Sequence, residues 1–263
     1  MKLVDVKNLS FAYDDQYVLK DANLIIEKGD YFGVIGPNGS AKSTLLKLML
    51  GMLDPIKGDV ELFGEPIKKF KGWNKIGYVS QKANAFNTSF PATVNEVVEA
   101  GLFSSLGLFK RIGRKHKQEV ERVLGIVGMQ EFGTRLIGNL SGGQQQKVFI
   151  ARALISQPEI IFLDEPTVGI DAKSQLEFYD LLEILNKKYG MTIVMVSHDI
   201  GVITEKVSRI ACMADGKIVC HDACCAVPPA EFIQEVYGEH MHLLLHDHDH
   251  HHVKVTDKED RHA

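Results

Sequence analysis

Lys42 and Ser43 stand near the end of a nine-residue run: Gly36, Pro37, Asn38, Gly39, Ser40, Ala41, Lys42, Ser43 and Thr44. An apolar segment, Tyr31 to Ile35, precedes the run and a helical pattern follows it. A glycine-rich loop entering a helix is an anion cradle, because bare N–H groups and the helix dipole converge on negative charge. In such a cradle Lys42 reaches the β- and γ-phosphates of a nucleotide, and the Ser43 hydroxyl ligates Mg²⁺. Asp164 and Glu165 end another apolar run, Ile160 to Leu163. The carboxyl end of a buried strand is where ligands sit in open α/β sheets. Asp164 suits Mg²⁺, directly or through water, and Glu165 suits polarising an attacking water as general base. A solvated acidic pair is the alternative reading, and Lys42 and Ser43 in the same chain argue against it. His198 follows the run Thr192 to Val196, placed to bond a γ-phosphate and the catalytic carboxylate. Gln81 follows Ile76 to Ser80; its neutral amide can coordinate Mg²⁺ or orient water without adding charge. Ala41 departs from the usual glycine before the lysine. Its methyl is expected to be tolerated only with negative φ and with Cβ turned from the phosphates.

A second glycine-rich stretch, Leu140 to Lys147, lies about a hundred residues downstream, just ahead of Asp164-Glu165. Ser141 three residues before Gln144 reads as a capping box for a helix that runs to Ser156 and is stopped by Pro158. Gly142 and Gly143 leave bare N–H groups at that helix start, which also suits a phosphate. The two readings are compatible.

Positioning these groups takes an α/β frame. The runs Tyr31 to Ile35, Ile160 to Leu163 and Thr192 to Val196 lack polar alternation, as parallel strands covered on both faces do. Helices are expected at Lys42 to Met52 and, started by Asp171, at Lys173 to Lys187. The first sixty or so residues differ: Leu3 to Val6, Val18 to Ile26 and Val60 to Phe63 suggest a small antiparallel sheet. From about 90 to 140 the pattern is helical, chiefly Val94 to Phe103 and Lys115 to Val127, and reads as an inserted helical subdomain. The expected organisation is one ATPase domain over 1–240 and a tail over 241–263. Between His240 and Ala263 stand eight histidines, five acids and three Lys/Arg without any period, which reads as disorder.

The 263 residues carry a net charge of −4, which gives no electrostatic case for nucleic acid as a partner. The basic run Lys110 to Lys117 reads as a solvated helix face. No apolar stretch reaches the ~20 residues of a membrane-spanning helix, and the N-terminus lacks a signal peptide's apolar core. Four clustered cysteines, Cys212, Cys220, Cys224 and Cys225, are consistent with a reducing, cytoplasmic compartment. Cys220, His221, Cys224 and Cys225 read as a surface turn with incidental thiols, with metal binding as the alternative.

The phosphate loop, Gln81, the Leu140 to Lys147 signature, Asp164-Glu165, the loop to Asp171 and His198 occur in one order. In that order the chain resembles ATP-binding-cassette ATPase subunits of transporters, over roughly residues 1 to 235. The resemblance implies a P-loop NTPase (RecA-like) core with an antiparallel β subdomain and an inserted helical one. It implies that Tyr13 stacks on adenine; a strand residue packing inward is the alternative. It also implies a head-to-tail homodimer, in which each ATP lies between one chain's loop and its partner's Ser141, Gly142, Gly143 and Gln144. A groove near Gln81, lined by Phe86 to Val94 with Phe86 and Phe90 as anchors, would receive an integral-membrane permease at the cytoplasmic face of the membrane.

Phe90 to Val94, Glu165 to Asp171 and Met195 to Val202 look like the zinc and manganese importer branch, as does Pro228-Pro229. That branch implies an extracytoplasmic metal-binding protein upstream. In the tail His246, His248, His250, His251 and His252 alternate with or adjoin carboxylates, a donor set suited to borderline metals such as Zn²⁺. A functionless solvated tail is the alternative. Other readings are a manganese or iron importer, a non-transport ATPase of the superfamily such as an iron–sulfur assembly factor, and a histidine-rich storage protein. The last leaves the ATP motifs unexplained.

Overall fold

The computed structural model describes residues 1–81, 91–103, 113–197, 203 and 205–222. Two sheets form the frame. The first is antiparallel, in the order β2-β1-β4-β5, from β1 (Lys2–Tyr13), β2 (Gln16–Glu27), β4 (Lys57–Leu62) and the short β5 (Glu65–Pro66). The second has six strands in the order β10-β9-β3-β8-β7-β6. It comprises β3 (Tyr31–Ile35), β6 (Ile76–Val79), β7 (Ile160–Asp164), β8 (Thr192–Val196), β9 (Arg209–Ala214) and β10 (Lys217–Asp222). All its pairings are parallel except β9 with β10. The α-helices named among the described residues are α1 (Lys42–Met49), α2 (Val94–Glu99), α3 (Arg114–Ile126), α4 (Gly142–Leu154) and α5 (Ala172–Tyr189), with short 3-10 turns between elements.

The uninterrupted apolar strands are buried on both faces, and alternate residues feed two cores. Phe32, Val34, Phe162, Val194 and Val196 pack with Leu45, Leu46 and Met49 of α1 and with the antiparallel sheet. Tyr31, Ile35, Ile161, Leu163, Ile193 and Met195 pack with α2, α3, α4 and α5. This is a P-loop NTPase core with a β subdomain on one side and a helical insertion on the other.

Several boundaries differ from the sequence pattern. α1 stops at Met49 rather than Met52, because Gly51 takes a left-handed φ of 63° and turns the chain. β1 runs on to Tyr13 through two offsets in its pairing with β2 between Val6 and Phe11, which breaks the simple alternation that would mark so long a strand. Cys220 and His221 belong to β10 and pair with Ala211 and Ile210, so the expected surface turn there is corrected to a strand. Burial pushes the Cys212 thiol up to about 12, which makes it inert. Cys224, Cys225, Phe86, Phe90, His198, Pro228, Pro229, His246, His248, His250, His251 and His252 lie outside the described residues.

Candidate functional site

The cradle forms where β3 meets α1. Gly36 has no room for a side chain: a Cβ would lie 2.3 Å from the Met213 carbonyl oxygen and 2.6 Å from Ser40 Oγ. Ser40 N donates to Pro37 O at 3.2 Å, folding the loop back on itself. Gly39 and Ala41 both take left-handed φ, 84° and 68°. The negative φ expected at Ala41 is therefore wrong. The turn into α1 puts residue 41 in the left-handed region, and in this chain an alanine bears the strain. Its carbonyl still accepts the first helical bond, from Leu45 N at 2.9 Å.

Lys42 is buried, and its Nζ donates to the carbonyls of Gly36 at 2.8 Å and Pro37 at 2.9 Å. Burial lowers its pKa, and the opposing fields of Glu165 and Asp164 hold it partly up. Ser43 Oγ donates to Asp164 Oδ1 at 2.7 Å, which joins the cradle to the end of β7. Gln81 Nε2 donates to Glu165 Oε2 at 2.8 Å, which joins it to the end of β6. Glu165 itself has a left-handed φ of 46°, held by its N–H bond to Val196 O at 3.0 Å. Non-glycine residues in that region are strained, and such strain gathers at functional sites. Ser197 N donates to Val34 O at 3.1 Å, bringing the end of β8 beside the loop. Five sequence-predicted groups (Lys42, Ser43, Gln81, Asp164 and Glu165) thus form one constellation.

Beside it opens a cleft of ≈ 350 Å³ lined by Tyr13, Val18, Asn38, Gly39, Ala41, Lys42, Ser43, Thr44 and Glu165. Tyr13 ends β1, is 48% exposed and packs edge-on against Phe11. Its hydroxyl lies 3.3 Å from Thr44 Oγ1. The ring faces the cleft rather than the core, against the inward-packing alternative. Val18, on β2, lines the same cleft and carries no sequence signal of doing so.

The signature residues lie apart, at the start of α4. Ser141 Oγ accepts from Gln144 N at 3.3 Å, and Gln144 Oε1 accepts from Ser141 N at 3.0 Å, the reciprocal capping box. Ser141 and Gly142 are exposed and Gly143 is buried. A Cβ on Gly143 would meet Ser174 Cβ at 2.6 Å, so this glycine permits the contact between α4 and the start of α5. One on Gly142 would lie 3.7 Å from Gly169 O, in ordinary contact. Asp171 caps α5, accepting from Ser174 N at 3.0 Å. The signature therefore rests on the far end of the loop that begins at Glu165. A second opening, ≈ 280 Å³, lies between β6 and α4, lined by Tyr78, Ser80, Gly101, Phe149 and Arg152 among others.

The ABC transporter profile matches residues 19–168. The zinc uptake system ATP-binding protein ZurA of Listeria monocytogenes is 49% identical over 209 residues, 80% of this chain and 81% of that protein. The manganese transport system ATP-binding protein MntB of Halalkalibacterium halodurans is 39% identical over 235 residues, 89% of this chain and 92% of that one. A solved dimeric ATP-binding cassette in a post-hydrolysis state with ADP and Pi is 30% identical. It superposes with a TM-score of 0.70, covering 84% of this chain and 98% of its own. The fold and the cradle define a P-loop ATPase. Within that class, the chain belongs to the ATP-binding-cassette transporter family.

Proposed function

We propose that this ATPase energises the import of a divalent transition metal, zinc in particular, as a homodimer bound to a separate membrane permease. The observation that carries the hydrolytic half is the joined pair of contacts Ser43–Asp164 and Gln81–Glu165. The donor set of hydroxyl, carboxylate and amide oxygen suits Mg²⁺, which when bound neutralises phosphate charge. In this reading Ser43, Asp164 and Gln81 hold it. Lys42 exchanges the carbonyls of Gly36 and Pro37 for the phosphates of ATP, and Tyr13 stacks on adenine. Gly36, Pro37, Asn38, Gly39, Ser40, Ala41 and Thr44 supply the cradle. Glu165 orients the attacking water and takes its proton, and His198 is assigned a supporting role in hydrolysis. Ser141, Gly142, Gly143 and Gln144 of each chain serve the ATP held by the partner's loop, and Asp171 ends the loop that accompanies them.

Glu165→Gln is expected to bind ATP with unchanged affinity, to form an ATP-dependent dimer on size exclusion and to lose about 10²-fold or more in turnover. Steady-state hydrolysis at the wild-type rate in that variant would sink the assignment.

Zinc rests on the 49% identity to ZurA against 39% to MntB. Uptake of radioactive zinc and manganese by cells carrying the intact transporter separates the two cargoes; manganese uptake alone would reverse the choice. The opening between β6 and α4 is where we place a cytoplasmic helix of the permease, which sets the chain at the cytoplasmic face of the membrane. An extracytoplasmic metal-binding protein would deliver the ion. No helix of the described residues is long and apolar enough to cross a membrane, so transport needs that separate subunit. Co-purification with a multi-spanning protein supports this reading, and its absence under gentle solubilisation favours a non-transport ATPase.

The tail histidines are proposed as a Zn²⁺ buffer on compositional grounds. Deleting residues 243–263 is expected to lower bound zinc without touching ATP turnover; unchanged zinc retires the idea.

A further inference from the structure

Gln145 follows the signature and is 8% exposed. Its side chain does not point at nucleotide. Instead Nε2 donates to two backbone carbonyls of the preceding turn, Ile137 O at 3.1 Å and Leu140 O at 3.2 Å. Its own N–H bonds Ser141 O at 2.9 Å. One residue thus holds both sides of the exposed Ser141–Gly142 corner. The turn it grips is itself tied elsewhere. Ile137 N donates to Ala92 O at 3.0 Å, Val94 N to Arg135 O at 2.9 Å and Asn95 N to Gly133 O at 2.9 Å. Thr93 and Leu136 form a β-bridge. Residues 91–95 are the first described residues after the segment that leaves Gln81.

We infer that Gln145 is a positioning residue for hydrolysis. It fixes the direction of the Ser141–Gly142 corner relative to the turn 137–140, and through that turn to residues 92–95. Two carbonyls bonded by one buried amide define an angle as well as a distance. Removing the amide frees the corner to rotate about the capping box and takes the side-chain donor from Leu140 O, while Ile137 O keeps only Leu140 N at 3.2 Å. The proposal rests on the reading that the signature serves ATP held by the partner.

The test is Gln145→Met, which keeps the length and removes the donor. ATP affinity of the isolated full chain is expected to stay within about twofold, because the cradle is untouched, while kcat falls about tenfold with KM little changed. Mixed dimers then place the defect. With Lys42→Ala in one chain and Gln145→Met in the other, the surviving ATP faces an intact signature, and turnover should match a Lys42→Ala/wild-type pair. With both substitutions in one chain against a wild-type partner, the surviving ATP faces the altered signature, and turnover should fall about tenfold. Equal loss in the two arrangements, an unchanged kcat in the Gln145→Met homodimer, or a loss of ATP affinity in step with kcat would each overturn the proposal. Ser141→Arg in the same arrangements separates the underlying reading: if its effect does not depend on placement, the cross-chain role of the signature fails instead.

Discussion

Ala41 is the residue at which this chain's chemistry and its backbone disagree. A left-handed alanine costs roughly 1–2 kcal/mol, and a glycine there gives back about 0.4–1 kcal/mol of that through the freer unfolded chain. Ala41→Gly is therefore expected to raise stability by about 0.5–1 kcal/mol, or about 1–4 °C in Tm. Differential scanning fluorimetry checks this, and a lower Tm would show that the methyl contributes packing that outweighs the strain. The residue types of the site were legible from the sequence because hydroxyl, ammonium and carboxylate groups advertise their chemistry by spacing. The backbone angle at Ala41 was not, since it is set by a turn that must bring β3 into α1. Gln145 and Val18 were hidden for a related reason: the carbonyls of Ile137 and Leu140 that Gln145 bonds, and the cleft that Val18 lines, come from folding, not from a motif.

Among the elements, α4 and α5 carry two further tests. Gln146 of α4 is wholly buried, and neither its Nε2 nor its Oε1 finds a partner among the described residues. An unpaired buried amide costs about 1–3 kcal/mol. Gln146→Met, similar in volume, is expected to raise the denaturation midpoint by about 1 kcal/mol equivalent; a fall would point to a polar partner. On α5, Glu183 accepts from Lys187 and from Lys206, at 2.6 Å from the latter, which also bonds Asp180 at 2.9 Å. These bonds, Lys187 first, hold the Glu183 carboxyl down from the ordinary 4.5 to about 2. A depressed carboxyl adds stability above its unfolded pKa and loses it as pH falls through the folded one. The Tm gap between wild type and Glu183→Gln is thus expected to be steady near neutrality, to shrink below pH 4.5 and to vanish near pH 2. Because the group is near the surface, the gap should be only about 1–2 °C. Doubly buried strands such as β7 and β8 were plain in the sequence. The full length of β1 was not, because its bulges break the alternation that marks a strand.

For the whole molecule, the paired arrangement proposed for ATP predicts concentration-dependent turnover. Specific activity of the purified chain should rise with its concentration and reach a plateau, as a monomer–dimer equilibrium requires. Activity strictly proportional to concentration over roughly a hundredfold dilution would mean that one chain hydrolyses alone. The proposed transport divides labour between polypeptides in the same way. No helix among the described residues is long and apolar enough to cross a bilayer; in the proposed transport the permease supplies the membrane path and this chain the energy.

The close approach of Gly143 to Ser174, with Gly142 in contact with Gly169, has a thermodynamic corollary. In the proposed dimer, the residues a chain lends to its partner's nucleotide and the carboxylate that orients the water attacking its own are braced on one short loop, Glu165 to Asp171. In that dimer, filling either pocket is expected to alter the other, and linkage makes the influence mutual. ATP titrations of turnover should be sigmoidal, with a Hill coefficient between about 1 and 2. A bulkier residue at Gly143 that left each pocket able to bind would flatten the curve towards two independent hyperbolas.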